Sequence, residues 1–156
     1  MSESFFKKII SPEEMEKVAK DIYSLHEIDN EKYGHALDLK HDAELICKSL
    51  SHESLLIWNI HVWVHFNGEK YDSIFIGIIR KSEKFNKKMM DEYLWLSKNP
   101  IKSFQLINTA LKFAKKRKIK YVTLSCVENY PKKSKLEKIY KKLGFIKDSS
   151  TYIKKL

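Results

Sequence analysis

KNPIKSFQLINTALKFAKKRKIKYVTL, residues 98–124, reads as a turn, a helix and a strand, and that order decides the fold. Ser103, Ile107, Ala110, Leu111 and Ala114 recur at helical spacing, so one side of the segment is apolar. Lys115-Lys116-Arg117-Lys118 ends it with cations that suit the negative end of a helix dipole. Tyr121 to Val127 then has the apolar and β-branched content of a strand. A helical crossover is what parallel neighbouring strands require. The strand at 121–127 is therefore expected beside and parallel to the one that precedes the helix, Met90 to Leu96. The turn between them, Lys98 to Ser103, contains no glycine.

Upstream, the repeat length changes. Leu56, Trp58, Ile60, Val62, Val64 and Phe66 alternate with Ile57, Asn59, His61, Trp63 and His65, the period of a strand with two unlike faces. Asn67-Gly68 turns the chain into Ile74 to Ile79, so residues 54–98 are expected to form three consecutive antiparallel strands. Further back, Phe5 to Ile10 reads as a short strand. Ser11-Pro12-Glu13-Glu14 then supplies an N-cap, a proline at the first helical position and a glutamate placed to close a capping box. Met15, Val18, Ala19, Ile22 and Leu25 give that helix one buried face through about Leu25. Residues 29–53 read as a polar flap followed by a second helix around Ala43 to Leu50. Downstream, Leu136, Ile139, Tyr140 and Leu143 make a last helical face closed by Gly144, with a small strand pair at Phe145–Ile146 and Tyr152–Lys155. The expected architecture is α/β: one domain over residues 1–156, with a mixed, mostly antiparallel central sheet and helices on both faces.

With 156 residues, 43% of them hydrophobic, the chain is long enough for a real core and unlike a disordered composition. No apolar run approaches the roughly 18 residues needed to span a bilayer, and MSESFFKKII has no signal-peptide core, so a cytoplasmic protein without a membrane partner is expected. Cys47 and Cys126 form neither a disulfide framework nor a zinc pattern. His61 and His65 lie about 13 Å apart along a strand, too far to share one ion, so no metal is expected. GxSxG, Walker, HExxH and GxGxxG motifs are all missing, which removes the standard hydrolase and nucleotide readings. The net charge of +10 divides into −4 over residues 1–97 and +14 over residues 98–156. A basic half of that size attracts a polyanion, such as nucleic acid, a phosphorylated cofactor or an acidic protein surface. Nucleic acid is not favoured, because the lysines show little aromatic interleaving along the sequence. A lysine-rich solvated face is the competing reading.

The order EYLWL, turn, ALKFAKKRKIK, YVTLSCV, helix and IYKKLGF resembles the C-terminal half of the GCN5-related N-acetyltransferase (GNAT) superfamily. Tyr140 to Phe145 resembles its closing Y-x-x-L-G-F signature, and Gly77 in FIGII resembles the glycine of its third strand. The resemblance covers residues 54–156 by motif and 1–53 by element order, and the final YIKKL is similar to the ends of phage-encoded members, whose compartment would be the host cytoplasm.

The resemblance implies acetyl-CoA as co-substrate and an amine on a small molecule or a protein as acceptor. In the superfamily a Q/R-x-x-G-x-G/A turn presents backbone N–H groups to the pyrophosphate, helped by the following helix dipole. Counting back from the helix end places that turn at Lys98 to Ser103 and implies Leu96, Ser97, Lys98, Ile101, Lys102, Ser103 and Phe104 as the cofactor-binding positions. Lys98 stands where Arg or Gln is usual, Ile101 replaces the first glycine and Ser103 the last. Ile101 would be poorly tolerated if its position demanded a positive φ, so the turn is either rebuilt, with Lys98 and Lys102 supplying charge, or lost. The implied chemistry is direct attack of the amine on the thioester, with the carbonyl held by a backbone N–H near Leu96 and Tyr140 protonating the departing thiolate. Glu92 is the first choice of base and Glu128 the second. Lys133 and Leu136 stand where the superfamily usually has Asn and a small residue. The alternative is a catalytically decayed GNAT-fold binding or virion-associated structural protein that uses its basic C-terminal half.

Overall fold

The computed structural model describes residues 5–9, 11–32, 59–83, 86–125 and 133–148. Five strands form one sheet in the order β1 (Phe5–Ile9), β2 (Ile60–Phe66), β3 (Tyr71–Ser82), β4 (Lys87–Ser97), β5 (Tyr121–Thr123). β1 to β4 pair antiparallel, and β5 runs parallel to β4. The parallel step follows helix α2 (Pro100–Lys116), as the crossover argument requires. Helix α1 (Pro12–Lys32) packs on one face of the sheet, while α2 and the short α3 (Lys133–Lys142) lie on the other.

Two register shifts decide which side chains reach which face. Between β3 and β4, Ile76 opposes Leu94 but Gly77 opposes Glu92, so β4 carries one extra residue there. A one-residue insertion reverses the facing of everything beyond it. Met90 accordingly packs with Leu106 and Ile107 of α2, whereas Leu94 and Leu96 join Met15 and Val18 of α1. Trp95 returns to the α2 face. A second shift, between His65 and Phe66, inserts Asp72 into β3.

Local signals explain the ends of elements. Ser11 caps α1 through a 3.3 Å bond from Glu14 N–H to its Oγ. The capping box is only half made, because the Glu14 carboxylate is taken by Lys7 of β1. α1 continues to Lys32, past the expected end near Leu25, so residues 29–32 are helical rather than flap. The proposed helix around Ala43 to Leu50, the start of the strand at Leu56 to Trp58, both cysteines and Tyr152–Lys155 lie outside the described residues. Phe145 and Ile146 form no strand.

The IYKKLGF segment ends α3 in a Schellman motif. Gly144 sits at φ 84°, its N–H donates to Lys141 O at 3.0 Å, and Phe145 N–H donates to Tyr140 O at 2.9 Å. The Tyr140 and Phe145 rings complete it with a contact at 5.9 Å. The Y-x-x-L-G-F spacing thus has a mechanical cause: tyrosine, glycine and phenylalanine occupy the three positions that the motif ties together. α2 ends in the same way with Lys118, φ 56°, in the glycine's place.

Candidate active site

β4 and β5 stay paired only from Met89 opposite Tyr121 to Asp91 opposite Thr123. The last rung is clamped by side chains, since Thr123 Oγ1 donates to Asp91 at 2.6 Å and Arg80 pairs with the same carboxylate. Beyond Asp91 comes the extra residue in β4, and an extra residue bends its strand and adds local twist. Beyond this point no further β4–β5 rung forms among the described residues. Gly77 lies opposite this bend. A Cβ there would meet Met90 Cγ and Sδ at 3.0 Å, so glycine is what lets Met90 close the core beside it.

Two of the sequence-selected residues meet at the mouth of this gap. Glu92 accepts the Ser125 backbone N–H at 2.7 Å, and Tyr140 O–H donates to the Ser125 carbonyl at 2.8 Å. Ser125 therefore ties a carboxylate on β4 to a phenol on α3 through the two polar groups of one residue. Burial pushes the Glu92 carboxyl from its ordinary 4.5 up to about 7, against the smaller opposing effect of the Ser125 bond. Tyr140 is buried, with its ring tilted against Trp95 at 6.2 Å. Trp95 in turn faces Phe104 edge-on at 6.0 Å and donates its indole N–H to Ser103 Oγ. Glu128 lies outside the described residues.

The glycine-free turn proves to be a capped helix start. Asn99 is the N-cap, with φ −121° and ψ 101°, and Pro100 occupies the first position. Asn99 Oδ1 accepts Lys102 N–H at 3.2 Å, and Ser103 N–H donates to the Asn99 carbonyl at 2.9 Å. Ile101 lies in the helix without a positive φ, and its side chain is 72% exposed. The steric objection to a β-branched residue therefore does not arise. The donor count is nevertheless small. Pro100 has no N–H and the next two after Ile101 are taken, so Ile101 N–H alone of this first turn has no protein acceptor among the described residues.

The remaining positions divide by orientation. Lys98 is exposed, with its N–H on the Asp72 carbonyl at 3.0 Å. Lys102 leans the other way, its Nζ 5.4 Å from the Phe6 ring centroid. Ser103 is buried and engaged by Trp95. Leu96 is buried on the α1 side and pairs with Ile74. Ser97 holds the cap, accepting Asn99 N–H at 2.9 Å and lying 2.7 Å from the Asn99 carbonyl. It begins a buried polar chain, because Ser73 Oγ is 2.7 Å away, Ser73 bonds Asp72 at 3.1 Å, and Asp72 bonds His65 Nδ1 at 2.7 Å. The helix start is thus anchored deep in the sheet.

The other flank of α2 has opposite chemistry. His61 bonds Asn59 at 2.9 Å and packs on Phe113 at 4.9 Å. Burial first, then the charges of Lys8, Arg117 and Lys88, pull it down to about 4. His61 and His65 thus point into separate environments, and among the described residues no cluster of three or more His, Cys, Asp or Glu side chains is placed to hold a metal ion. No described helix is long and apolar enough to cross a membrane.

Among solved structures the chain is similar to a possible acetyltransferase from Clostridium difficile 630, with a TM-score of 0.69, 12% identity and 99% of each chain covered. The chain has the GNAT fold. The GNAT fold recurs in two further likenesses of the same order. A Ribosomal-protein-alanine N-acetyltransferase from Brucella melitensis biovar Abortus 2308 superposes with a TM-score of 0.68 at 11% identity, covering 98% of this chain and 99% of that one. An aminoglycoside acetyltransferase from an uncultured soil metagenomic sample, in complex with sisomicin, gives 0.66 at 14% identity over 98% and 96%. No family model matches the chain, and no curated protein matches it.

Three participants in the site escaped the sequence reading. Ser125 acts through its backbone, which leaves no trace in residue type. Trp95 reaches the site only because the extra residue in β4 shifts its facing. Asn99-Pro100 was a legible signal, since an N-cap residue followed by proline is a standard way to begin a helix.

Proposed function

We propose that the protein is an N-acetyltransferase that moves an acetyl group from acetyl-CoA to an amine by direct attack. The observation that carries this reading is the convergence of Glu92 and Tyr140 on Ser125, where β4 and β5 part in a GNAT fold. When bound, acetyl-CoA supplies the thioester whose carbonyl carbon the amine attacks and whose thiolate departs. The first turn of α2 fits the anionic end of such a ligand with one backbone N–H at Ile101, the positive end of the helix dipole and the Lys98 ammonium. Charge and dipole thus replace the nest of N–H groups that a glycine turn would offer.

Glu92, with its carboxyl near neutrality, takes the proton of an incoming ammonium or of the attacking amine. Tyr140 rotates its hydroxyl from the Ser125 carbonyl to give its proton to the thiolate. Trp95 and Phe145 both pack on that ring, so the rotation turns the hydroxyl while the phenol ring stays held. The acceptor is an amine on a small molecule or on a protein, a reading that the names of the similar aminoglycoside and ribosomal-protein-alanine acetyltransferases support.

Titration with acetyl-CoA while following the unfolding temperature tests the reading. Stabilisation should grow as RT ln(1 + [L]/Kd), about 2.7 kcal/mol at a hundredfold excess over Kd. It should exceed that given by ATP or heparin and survive moderate salt. A shift that heparin matches and salt abolishes would replace the enzyme with a general polyanion binder.

A further inference from the structure

Between β1 and the outer flank of α2 runs an open groove of about 310 Å³, at the small end of the roughly 300–1,000 Å³ typical of small-molecule sites. Its floor is apolar, made by Phe6, Trp63, Leu106 and Phe113, and its rim is cationic, with Lys8, Lys112 and Lys116 joined by Lys7. Two cations sit on one ring: Lys8 Nζ lies 4.9 Å from the Phe113 centroid and the Arg117 guanidinium 5.4 Å. Among the described residues no acidic side chain lines the groove. Lys7 is neutralised by Glu14, but Lys8, Lys112, Lys116 and Arg117 have no carboxylate partner among the described residues.

This arrangement leaves an uncompensated repulsion. Burial first and then Arg117 depress the Lys8 ammonium, and after burial Lys8, Arg117 and Lys88 all act on His61, which touches the same Phe113. Collecting cations over an apolar floor with no counter-charge among the described residues costs free energy that an incoming anion would return. An apolar body with one anionic head satisfies both halves of the groove.

We propose that the groove between β1 and α2 is a binding site for a small amphipathic carboxylate, with its alkyl or aryl body on Phe6, Trp63 and Phe113 and its head among Lys8, Lys112 and Lys116. The site lies on the opposite flank of α2 from Glu92 and Tyr140 and does not depend on the acetyltransferase reading.

Calorimetric titration of the whole protein with decanoate, decanol and acetate tests it. Decanoate should bind, and decanol and acetate should each bind at least about tenfold more weakly, since each lacks one half of the match. Lys8→Met and Lys112→Met, which keep the apolar stems, should each weaken decanoate by about tenfold as well. Saturating acetyl-CoA should leave the decanoate affinity unchanged. A measurement on the unaltered protein covers variants that fail to fold: the His61 ring proton signal, followed by NMR, should titrate at higher pH when decanoate is bound, because an anion offsets the neighbouring cations. Equal binding of decanol, displacement by acetyl-CoA, an unmoved His61 titration, or binding of an acidic peptide where decanoate fails would each overturn the proposal.

Discussion

The two flanks of α2 treat their titratable groups alike and arrive at opposite consequences. On the β4–β5 side burial raises Glu92 to about 7, and on the β1–β2 side burial and surrounding cations lower His61 to about 4. In both cases the protein favours the neutral form. The difference lies in where each group ends. Glu92 is brought to the pH at which a carboxyl gains and loses protons readily, while His61, the residue type usually suspected of acid–base work, is held neutral far from its ordinary range. A histidine on a polar-looking strand face is thus a packing residue, and the proposed chemistry rests on a glutamate that the alternating pattern of β4 gives no special place.

The sharpest way to break this contrast is to remove the phenol. Tyr140→Phe should lower acetyl transfer by about 10² to 10⁴ while leaving acetyl-CoA affinity nearly unchanged, whereas His61→Phe on the other flank should leave turnover close to that of the parent. Thiol release with an aminoglycoside or an alanine-terminated peptide as acceptor reads both. Unaltered turnover in Tyr140→Phe would make that ring a part of the Schellman end of α3 and nothing more.

Glu92→Gln should cost about 10² in kcat/KM at pH 7 and above. Its more specific signature is the pH profile. The parent rate should rise through an apparent pKa near 7, as the carboxyl loses its proton, and the Gln variant should lack that limb.

Smaller effects should appear in stability. Gly77→Val would drive side-chain atoms into Met90 beside the bend that opens the gap, for a loss of about 1–3 kcal/mol read by thermal or denaturant unfolding. Smaller still is the pH dependence of stability. His61 binds its proton less readily folded than unfolded, so its contribution is present above about 6.5 and is lost as pH falls toward about 4. Glu92 binds its proton more readily folded, so its contribution is present below about 4.5 and is lost as pH rises toward about 7. His61→Gln and Glu92→Gln should therefore tilt the stability curve between pH 4.5 and 6.5 in opposite directions.

The three consecutive antiparallel strands, the hairpin and the parallel last strand were legible in the sequence, because alternation, Asn67-Gly68 and a 17-residue amphipathic helix are local signals, whereas the place of β1 beside β2 was not. The bend in β4 was not. Glu92-Tyr93-Leu94 contains no residue that announces an insertion, and only the facing of Met90 against Leu94 reveals it. The same insertion opens the site, which is why the candidate residues could be named but not placed. The helix start shows the reverse case. The absent glycines left open whether the turn is rebuilt or lost, and the structure shows a helix start capped by Asn99 and Pro100 that needs no positive φ at Ile101. Lys17 lies over Phe66, and Lys8 with Arg117 over Phe113, so cationic and aromatic residues that are separate in sequence meet in space.

The central claim, that acetyl-CoA occupies the β4–β5 flank of α2, is tested most directly by hydrogen exchange of backbone amides with and without acetyl-CoA. Protection should concentrate in residues 92–103 and 121–125, with Ile101 N–H among the most strongly slowed, and β1 and residues 112–117 should exchange as before. Protection confined to β1 and residues 112–117, or no change at saturating acetyl-CoA, would contradict it.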